Sequence, residues 1–545
     1  MYIAVAIGVL IVLILAWLVA WTKRRKSWCV MFYMVGRLPR TVFPVNWPDP
    51  VTGLPVGARL DAKLKDVLAT LDNLPCSSLL KVINDSAWED VHVVYRGVWD
   101  DIHTAPVAKV VSWRLGAPST DYFANENYNP LSIDLTDDLK LFYDWAFENC
   151  PADHYAVLFW GHSFGPGGLF EVAEKPVLPA PPPPPPPATG AGPGGAVPPP
   201  TSPPPALPPI VVPETPIDGP DVPQLTFTSI GLTELSDALV RLVDLRKLDQ
   251  PDLVATGKSM KIDMVAFQDC WMSTLETAYE LQDSAQYLLA SQSLVPIGYN
   301  PNGQLPGAIW PYEELIGALV HQQPFPDSLL GILKTFFDGT NLPPGTNAEF
   351  NRYPNPTIPY TLLDLGQNVG ELSGRLTQPF LQLVTALDIP SLSRANRRSL
   401  ILQSAAGQLF RFSGQDLQAG DVALIDVPIF CGYLQNSALW PNAVRAALSA
   451  AEIATIGGAA VNLQAALTGA APLVRGRFES AANAALTLGF NGISVFYKGG
   501  QATPADPYLL QHVNFNYYQS LKFGLETTTL LPNGTQTGWA KIAFE

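Results

Sequence analysis

Five short apolar runs are the feature that most constrains the fold of this chain. Each is rich in valine or aromatic residues and is bounded by polar or turn residues, which is typical of strands buried within a sheet. Stretches with helical periodicity separate them, and this alternation predicts an α/β fold with a mainly parallel sheet flanked by helices. The runs are WCVMFYMV (28–35), VHVVY (91–95), YAVLFW (155–160), MVAF (264–267) and YLLAS (287–291).

Two of these predicted strands end in side chains that can perform chemistry, and ligand-binding loops gather at the carboxyl ends of parallel strands. YAVLFW is followed by GHSFG (161–165), and MVAF is followed by QDC (268–270). A thiol becomes a strong nucleophile when a neighbouring imidazole removes its proton, so His162 and Cys270 form a candidate catalytic dyad. The backbone N–H groups of Ser163 and Cys270 are the candidate oxyanion hole.

A serine hydrolase is the less favoured enzymatic alternative. GHSFG also matches the G-x-S-x-G nucleophile elbow of α/β-hydrolases, in which Ser163 would be the nucleophile. That elbow requires a helix directly after the serine, whereas PGG (166–168) follows here. The remaining members of a triad would be Asp506 and His512, and nothing in their surroundings selects them.

The N-terminus carries a twenty-residue run, residues 2–21, that contains no charged residue. At about 1.5 Å per residue such a helix crosses the hydrocarbon core of a bilayer. No Lys or Arg precedes the run and KRRK (23–26) follows it, which favours an anchor over a cleaved signal peptide. By the positive-inside rule we expect a single-pass transmembrane helix with the catalytic domain in the cytoplasm.

A second unusual segment, residues 176–220, holds 21 of the 53 prolines. It has no core-forming pattern and predicts a semi-rigid, polyproline-type insertion. A plain spacer is the simpler interpretation, and a ligand for a proline-recognition domain is the alternative.

Composition excludes several classes of protein. The chain has 33 basic and 48 acidic residues, a formal net charge of −15, which argues against nucleic acid as a partner. Its five cysteines are far apart and odd in number, which fits a reducing compartment and not a disulfide scaffold. The sequence contains no cluster with metal-ligand spacing and no glycine-rich phosphate loop, so we expect no metal and no cofactor.

Several segments together resemble the clostripain-like cysteine peptidases. PADHYAVLFWGHSFG (151–165) resembles the family's strand that ends in Trp-x-His-Gly, and KIDMVAFQDCWMSTLETAYEL (261–281) resembles its Phe-Asp-Ala-Cys-Leu-Met-Ser element and the helix after it. YLLASQSLVPIGYNPNGQLPGAIWPYEELIGAL (287–319) resembles the next strand, an Ala-Ser-Glu-Glu-type turn and a Gly-Trp-x-Tyr helix entry. The likeness covers most of residues 27–525 and is most specific over 140–320.

This resemblance implies a caspase-like fold and hydrolysis of peptide bonds, usually after Arg or Lys. It implies that His162 is the general base and that Cys270 is the nucleophile, which forms a thioester with the substrate. Some relatives use calcium, but the sequence spells no calcium-binding loop, so calcium is implied by the resemblance only.

The chain departs from the family around the expected specificity pocket. Gln268 stands where the family has Asp, Asp269 replaces Ala, and Gln292 replaces Glu of the following turn. A neutral amide does not offset a buried guanidinium, so a preference for basic residues is in question. We take Gln268, Asp269, Ser291 and Gln292 as substrate-binding candidates. The departures also motivate a non-enzymatic alternative, a catalytically silent pseudo-peptidase that acts as a tethered binding module.

We therefore expect three parts: an anchor with its basic flank (1–26), a caspase-like catalytic domain (27–340) interrupted by the proline-rich insertion, and an α/β C-terminal accessory portion of the same peptidase unit (341–545). Within the last part the pattern predicts a strand at VALIDVPIF (422–430), an Ala-rich helical region (443–486) and a strand at ISVFYK (493–498).

Overall fold

The computed structural model describes the chain in separate ranges between residues 25 and 544. No helix among its described residues is long and apolar enough to cross a membrane. The predicted span (2–21), His162, the proline-rich insertion (176–220), Asp506 and His512 lie outside those residues. The described ranges are 25–36, 90–101, 107–114, 132–161, 163, 165–169, 226–227, 230–255, 258–293, 295, 310–321, 324–339, 357–404, 423–481, 489–498, 513–530 and 536–544.

Fourteen strands lie in the described part of the chain, and eight of them form one central sheet. In chain order they are β1 (Lys26–Gly36), β2 (Val91–Asp101), β3 (Val107–Arg114), β4 (Ser132–Ile133), β5 (Ala152–Trp160), β6 (Thr226–Phe227), β7 (Ile262–Phe267), β8 (Ala285–Ala290), β9 (Thr357–Asp364), β10 (Ala423–Asp426), β11 (Val474–Ala481), β12 (Ser494–Tyr497), β13 (Thr528–Leu530) and β14 (Gln536–Gly538). The order across the central sheet is β11-β9-β8-β7-β5-β1-β2-β3.

The middle of this sheet is parallel and its edges are antiparallel. Strands β8, β7, β5, β1 and β2 run in one direction, whereas β3 on one side and β9 and β11 on the other run in the opposite sense to their neighbours. All six residues of β7 are buried, as expected for a strand that is covered on both faces. The predicted mainly parallel α/β sheet is therefore confirmed, with strands of the C-terminal portion added at one edge.

Helices cover the sheet and their ends are set by local capping. The first described helix begins at Leu135, because the Asp134 carboxylate accepts the N–H groups of Thr136 and Asp137 and caps it. The described α-helices are α1 (Leu135–Asn149), α2 (Leu232–Asp249), α3 (Pro251–Ala255), α4 (Leu275–Leu281), α5 (Tyr312–Val320), α6 (Asp327–Gly339), α7 (Glu371–Leu387), α8 (Arg394–Ser404), α9 (Val427–Gln435), α10 (Asn442–Ala447), α11 (Ala450–Thr468), α12 (Phe515–Ser520), α13 (Lys522–Glu526) and α14 (Trp539–Phe544).

The C-terminal portion differs from its predicted elements in two places. The apolar run predicted as one strand over 422–430 ends as a strand at Asp426, because that carboxylate accepts the N–H of Ile429 and caps α9. Pro428 fits this first helical turn, where its missing N–H costs nothing. The Ala-rich region predicted as helical over 443–486 contains α10 and α11 and then the edge strand β11. The strand predicted over 493–498 is confirmed as β12.

A buried ion pair ties α1 to the sheet. The Arg96 guanidinium of β2 donates to both carboxylate oxygens of Asp138 on α1, with 3.1 Å from Nε to Oδ2, and both side chains are almost fully buried. The Tyr33 hydroxyl of β1 donates to the same carboxylate at 3.0 Å. A two-pronged pair of this kind fixes orientation as well as charge, so it sets the helix against two central strands.

We predict that Asp138→Ala lowers the free energy of unfolding by about 3–5 kcal/mol, because it leaves the Arg96 charge buried without this carboxylate. The matched control is Asp144→Ala on the same helix, which removes a partly exposed pair with Arg241 and should cost no more than about 1 kcal/mol. Urea denaturation of both variants measures the two values. Equal small losses would contradict the prediction.

Candidate active site

The site lies at the carboxyl ends of β5 and β7, which pair in parallel with Phe159 opposite Phe267. The Gln268 N–H donates to the Phe159 carbonyl at 2.8 Å, so the pairing continues past the end of β7. The residues that follow the two strands are therefore brought together at one edge of the sheet, as the sequence predicted.

Two contacts join the segment after β5 to the segment that carries Cys270. The Gly161 N–H donates to Asp269 Oδ1 at 2.6 Å, and the Ser163 hydroxyl donates to the Cys270 carbonyl. His162 itself lies outside the described residues, but the residues on either side of it both contact the cysteine segment.

A tight loop connects Cys270 to α4. Trp271 has φ 54°, the only positive value at a described non-glycine residue, and this conformation costs on the order of 1–3 kcal/mol. The Trp271 N–H donates to the Ser293 carbonyl at 3.1 Å. Thr274 then caps α4 by accepting the N–H of Thr277 at 3.2 Å. The loop is thus held at both ends, and the strained residue lies directly beside the candidate nucleophile.

The segment that leaves β8 packs along this loop. We call Ser291, Gln292, Ser293 and Val295 the exit segment. Its carbonyl at Ser291 accepts the N–H of Ser273 at 2.9 Å, and its N–H at Val295 donates to Cys270 Sγ at 3.2 Å. The exit segment therefore covers the thiol with a backbone group.

The Cys270 thiol is protonated at neutral pH in this arrangement. Its side chain is 6% exposed, and burial raises its pKa to about 12. The nearby Asp269 charge acts in the same direction, whereas the backbone hydrogen bond with Val295 opposes it. A base is needed before this sulfur can act as a nucleophile.

Asp269 is the one residue of the QDC segment with an acidic side chain, and it is 1% exposed. Its Oδ2 atom has no hydrogen-bond partner among the described residues. Burial raises its pKa to about 7, although the Gly161 N–H works against that shift. Burial therefore favours the neutral form of this carboxyl.

Gln268 belongs to a buried wall behind the cysteine. Its Oε1 atom accepts the Tyr312 hydroxyl at 2.7 Å, and Tyr312 packs edge-on against Phe32 of β1. Beside it the Trp310 indole donates to the Tyr360 hydroxyl at 3.2 Å. The side chain is 4% exposed, so Gln268 is closed off from solvent in this structure.

Gln292 and Ser291 are both fully buried. The Ser291 hydroxyl donates to the Ser293 carbonyl at 3.0 Å within the exit segment. The Gln292 amide donates to Asp426 and Ser494 and accepts from the Gly492 N–H. Both side chains therefore make internal contacts in this structure.

Sequence reasoning missed the residues of the C-terminal portion that contact the site. Asp426 and Ser494 reach Gln292, and Gly492 accepts the hydroxyl of Ser273 in the cysteine loop at 2.6 Å. One signal was available. A single acidic residue within the apolar run VALIDVPIF is expected to be buried and therefore to have partners.

The described residues contain no group of three or more His, Cys, Asp or Glu side chains that could hold a metal ion.

Comparison with known proteins gives one family match. The model of the clostripain family matches residues 228–324, which include Cys270 and the exit segment. No curated protein matches the chain.

Solved structures give weaker likenesses. One is a secreted C11 cysteine protease from Bacteroides thetaiotaomicron, called iotapain, with 13% identity, a TM-score of 0.43 and coverage of 93% of this chain and 100% of that one. Another is an inactive zymogen C11 protease from Parabacteroides distasonis, with 10% identity, a TM-score of 0.41 and coverage of 96% and 99%. These TM-scores are too low for the likenesses to carry an argument.

We predict that Asp269→Asn changes how stability depends on pH. The folded-state pKa of about 7 lies above the ordinary value of 3.8, so the contribution of the neutral carboxyl is complete below about pH 4 and is lost as the pH rises through 7. At pH 8 the free energy of unfolding of the variant, measured by urea denaturation, should therefore exceed that of the wild type by up to about 4 kcal/mol. This difference should close towards pH 4. Asp153→Asn, at an exposed carboxylate, is the control. Parallel pH profiles of the wild type and Asp269→Asn would refute the assignment.

Proposed function

We infer from the family match over residues 228–324 that this clostripain-like chain is a cysteine peptidase, a hydrolase, and we propose that Cys270 is its nucleophile and His162 its general base. The observation that carries the dyad is the pair of contacts made by Gly161 and Ser163. Both bind the segment that holds Cys270, and His162 is the residue between them. The register of β5 and β7 supports the same pairing, because His162 and Cys270 each lie three residues beyond the partners Phe159 and Phe267.

The proposed reaction begins with the protonated thiol. The His162 imidazole takes the thiol proton while Sγ attacks the scissile carbonyl carbon, and the backbone N–H groups of Ser163 and Cys270 stabilise the oxyanion. The C–N bond then breaks, His162 returns the proton to the leaving amine, and a thioester on Cys270 remains. Water attacks this thioester with His162 again as the base, which releases the carboxylic acid and restores the thiol. A thiol pKa of about 12 requires such a base, since the thiolate is not formed beforehand.

The proposed substrates are peptides or proteins, and the wall behind Cys270 argues for a changed cleavage preference. Gln268 brings a neutral amide, and its oxygen is engaged by the Tyr312 hydroxyl. Asp269, the residue before Cys270, brings a carboxyl, but burial favours its neutral form. We therefore propose that basic cleavage-site residues are not preferred over neutral ones, because a buried guanidinium needs an ionised partner.

Two alternatives compete with this proposal. In the pseudo-peptidase alternative the covered thiol is never released, and the 6% exposure of Cys270 is the observation in its favour. In the serine-hydrolase alternative Ser163 would be the nucleophile. Its hydroxyl donates to the Cys270 carbonyl, and the turn Gly165–Gly167 follows it in place of the long helix that an elbow requires.

We also propose that residues 2–21 anchor the chain in a membrane with the catalytic unit in the cytoplasm. The support is the length and apolar character of that run and the basic residues after it. The proline-rich insertion at 176–220 is proposed as a spacer, with a proline-recognition domain as the alternative partner.

We predict that Cys270→Ala abolishes turnover of fluorogenic peptides, whereas Ser163→Ala keeps activity within about tenfold because it removes only a hydrogen bond to the loop. A panel with basic, acidic and neutral cleavage-site residues, assayed on the full chain, measures both activity and preference. Loss of turnover in the serine variant alone would favour the hydrolase. The absence of turnover on every peptide, together with no labelling of Cys270 by thiol-directed acyl probes, would favour the pseudo-peptidase.

We predict that the full chain stays in the membrane pellet after alkaline carbonate extraction and that deletion of residues 2–21 releases it. A topology reporter fused to the C-terminus should report the cytoplasmic side. Extraction of the full chain into the supernatant would contradict the anchor, and a reporter on the other side would contradict the orientation only.

A further inference from the structure

We propose that Gln292 is a positioning residue, held by Asp426 of the C-terminal portion, that fixes the exit segment against the Cys270 loop. Peptidase turnover then depends on a contact that lies outside the cysteine and histidine segments. The proposal rests on the proposed function for its catalytic readout, and it replaces the expectation that Gln292 binds substrate.

The Gln292 side chain is fully buried, and each end of its amide is used. Nε2 donates to Asp426 Oδ2 at 3.2 Å and to Ser494 Oγ at 2.9 Å. Oε1 accepts the Gly492 N–H at 2.6 Å. This environment needs a donor at one end of the side chain and an acceptor at the other, which is what an amide provides and a carboxylate does not.

Asp426 is the acceptor that makes this site fit an amide at position 292 and not a carboxylate. It is 3% exposed, Oδ1 accepts the Ile429 N–H at 3.1 Å, and Oδ2 accepts the Asn491 N–H at 2.7 Å as well as the Gln292 amide. Burial raises its pKa to about 6, and these hydrogen bonds and the Arg477 charge act against that shift. All three of these contacts are ones in which Asp426 accepts, as a carboxylate does.

The exit segment transmits this contact to the nucleophile. The residues beside Gln292 are joined to the cysteine loop, since the carbonyl of Ser293 accepts the Trp271 N–H at 3.1 Å. Val295, which follows closely, donates its N–H to Cys270 Sγ at 3.2 Å. A shift of Gln292 would therefore move groups that contact the sulfur and the strained residue next to it.

Residues of the C-terminal portion that bind Gln292 also bind the cysteine loop at Ser273. The Ser273 hydroxyl donates to the Gly492 carbonyl at 2.6 Å, and the Ser494 N–H donates to the Ser273 carbonyl at 3.0 Å. Gly492 and Ser494 also contact Gln292. The cysteine loop and the exit segment are thus both bound to one short stretch of chain, residues 492–494.

Glutamate at position 292 is the sharpest test, because it has nearly the same shape and reverses the polarity of one contact. Its carboxylate would face the Asp426 carboxylate across a buried hydrogen-bond distance, and like charges this close do not both ionise readily. Asp426→Asn in the same chain supplies a donor again. The titratable groups whose charges interact with Asp426 are Arg477 of β11 and Cys431 of α9.

The experiment compares the full wild-type chain with Gln292→Glu, Gln292→Glu/Asp426→Asn and the control Gln282→Glu. Gln282 is also fully buried, and its Oε1 accepts from Ser373, so a carboxylate there keeps that contact. The readouts are kcat and KM on the best fluorogenic peptide, the rate of Cys270 alkylation by iodoacetamide followed by mass spectrometry, and the urea midpoint.

We expect Gln292→Glu to lower kcat about tenfold with KM nearly unchanged, and to speed alkylation about tenfold because Val295 no longer covers the sulfur. The loss of kcat should shrink as the pH falls and the added carboxyl is protonated. The double variant should recover part of the loss, and Gln282→Glu should stay within about threefold of the wild type in both rates. If Gln292→Glu does not fold, Asp426→Asn alone should show the same pattern at smaller size.

Three results would overturn the proposal. A raised KM with unchanged kcat would make Gln292 a substrate contact. Equal effects of Gln292→Glu and Gln282→Glu would show a general cost of burying charge. A loss of kcat without a change in the alkylation rate would show that Gln292 does not position the cysteine loop. If the wild type has no peptidase activity, the proposed function fails, and the alkylation rate still decides the positioning role.

Discussion

The parallel pairing of β5 with β7 is the constraint on which the site depends. With Phe159 opposite Phe267, the chain must place residues 161–163 beside residues 268–270, whatever the rest of the sequence does. The contacts of Gly161 with Asp269 and of Ser163 with Cys270 are direct consequences of that register. A shift of one residue would move every side chain to the other face and would separate the two segments. Burial of both strands therefore fixes the position of these segments as well as the packing of the core.

The electrostatics of the site follow from how little of it reaches water. Cys270, Asp269 and Gln268 are all at most 6% exposed. Burial is the largest cause that raises the pKa of the thiol and of the adjacent carboxyl, so both favour their neutral forms. A neutral thiol is a weak nucleophile, and the Val295 N–H covers the sulfur in this structure.

The central strands and the place of the candidate nucleophile beyond the end of β7 could be predicted from sequence, because five apolar runs carry a strong local signal and Cys270 lies three residues after one of them. The contacts of Gln292 could not, since they join residues more than one hundred positions apart and depend on tertiary packing. The break at Asp426 was also hidden, because VALIDVPIF continues the apolar pattern of a strand while a cap and a proline begin a helix within it. The edge strand β11 was missed for a related reason, since the Ala-rich sequence before it favours a helix.

The direction of β5 has a geometric consequence. The chain enters the sheet at Lys26, which pairs with Ala152 at the start of β5, while Gly161 and Ser163 follow the opposite end of that strand. The nine steps from Ala152 to Gly161, at roughly 3.3 Å each, separate the two levels by about 30 Å. The Cys270 loop therefore lies at the opposite end of β5 from the point where the chain enters the sheet.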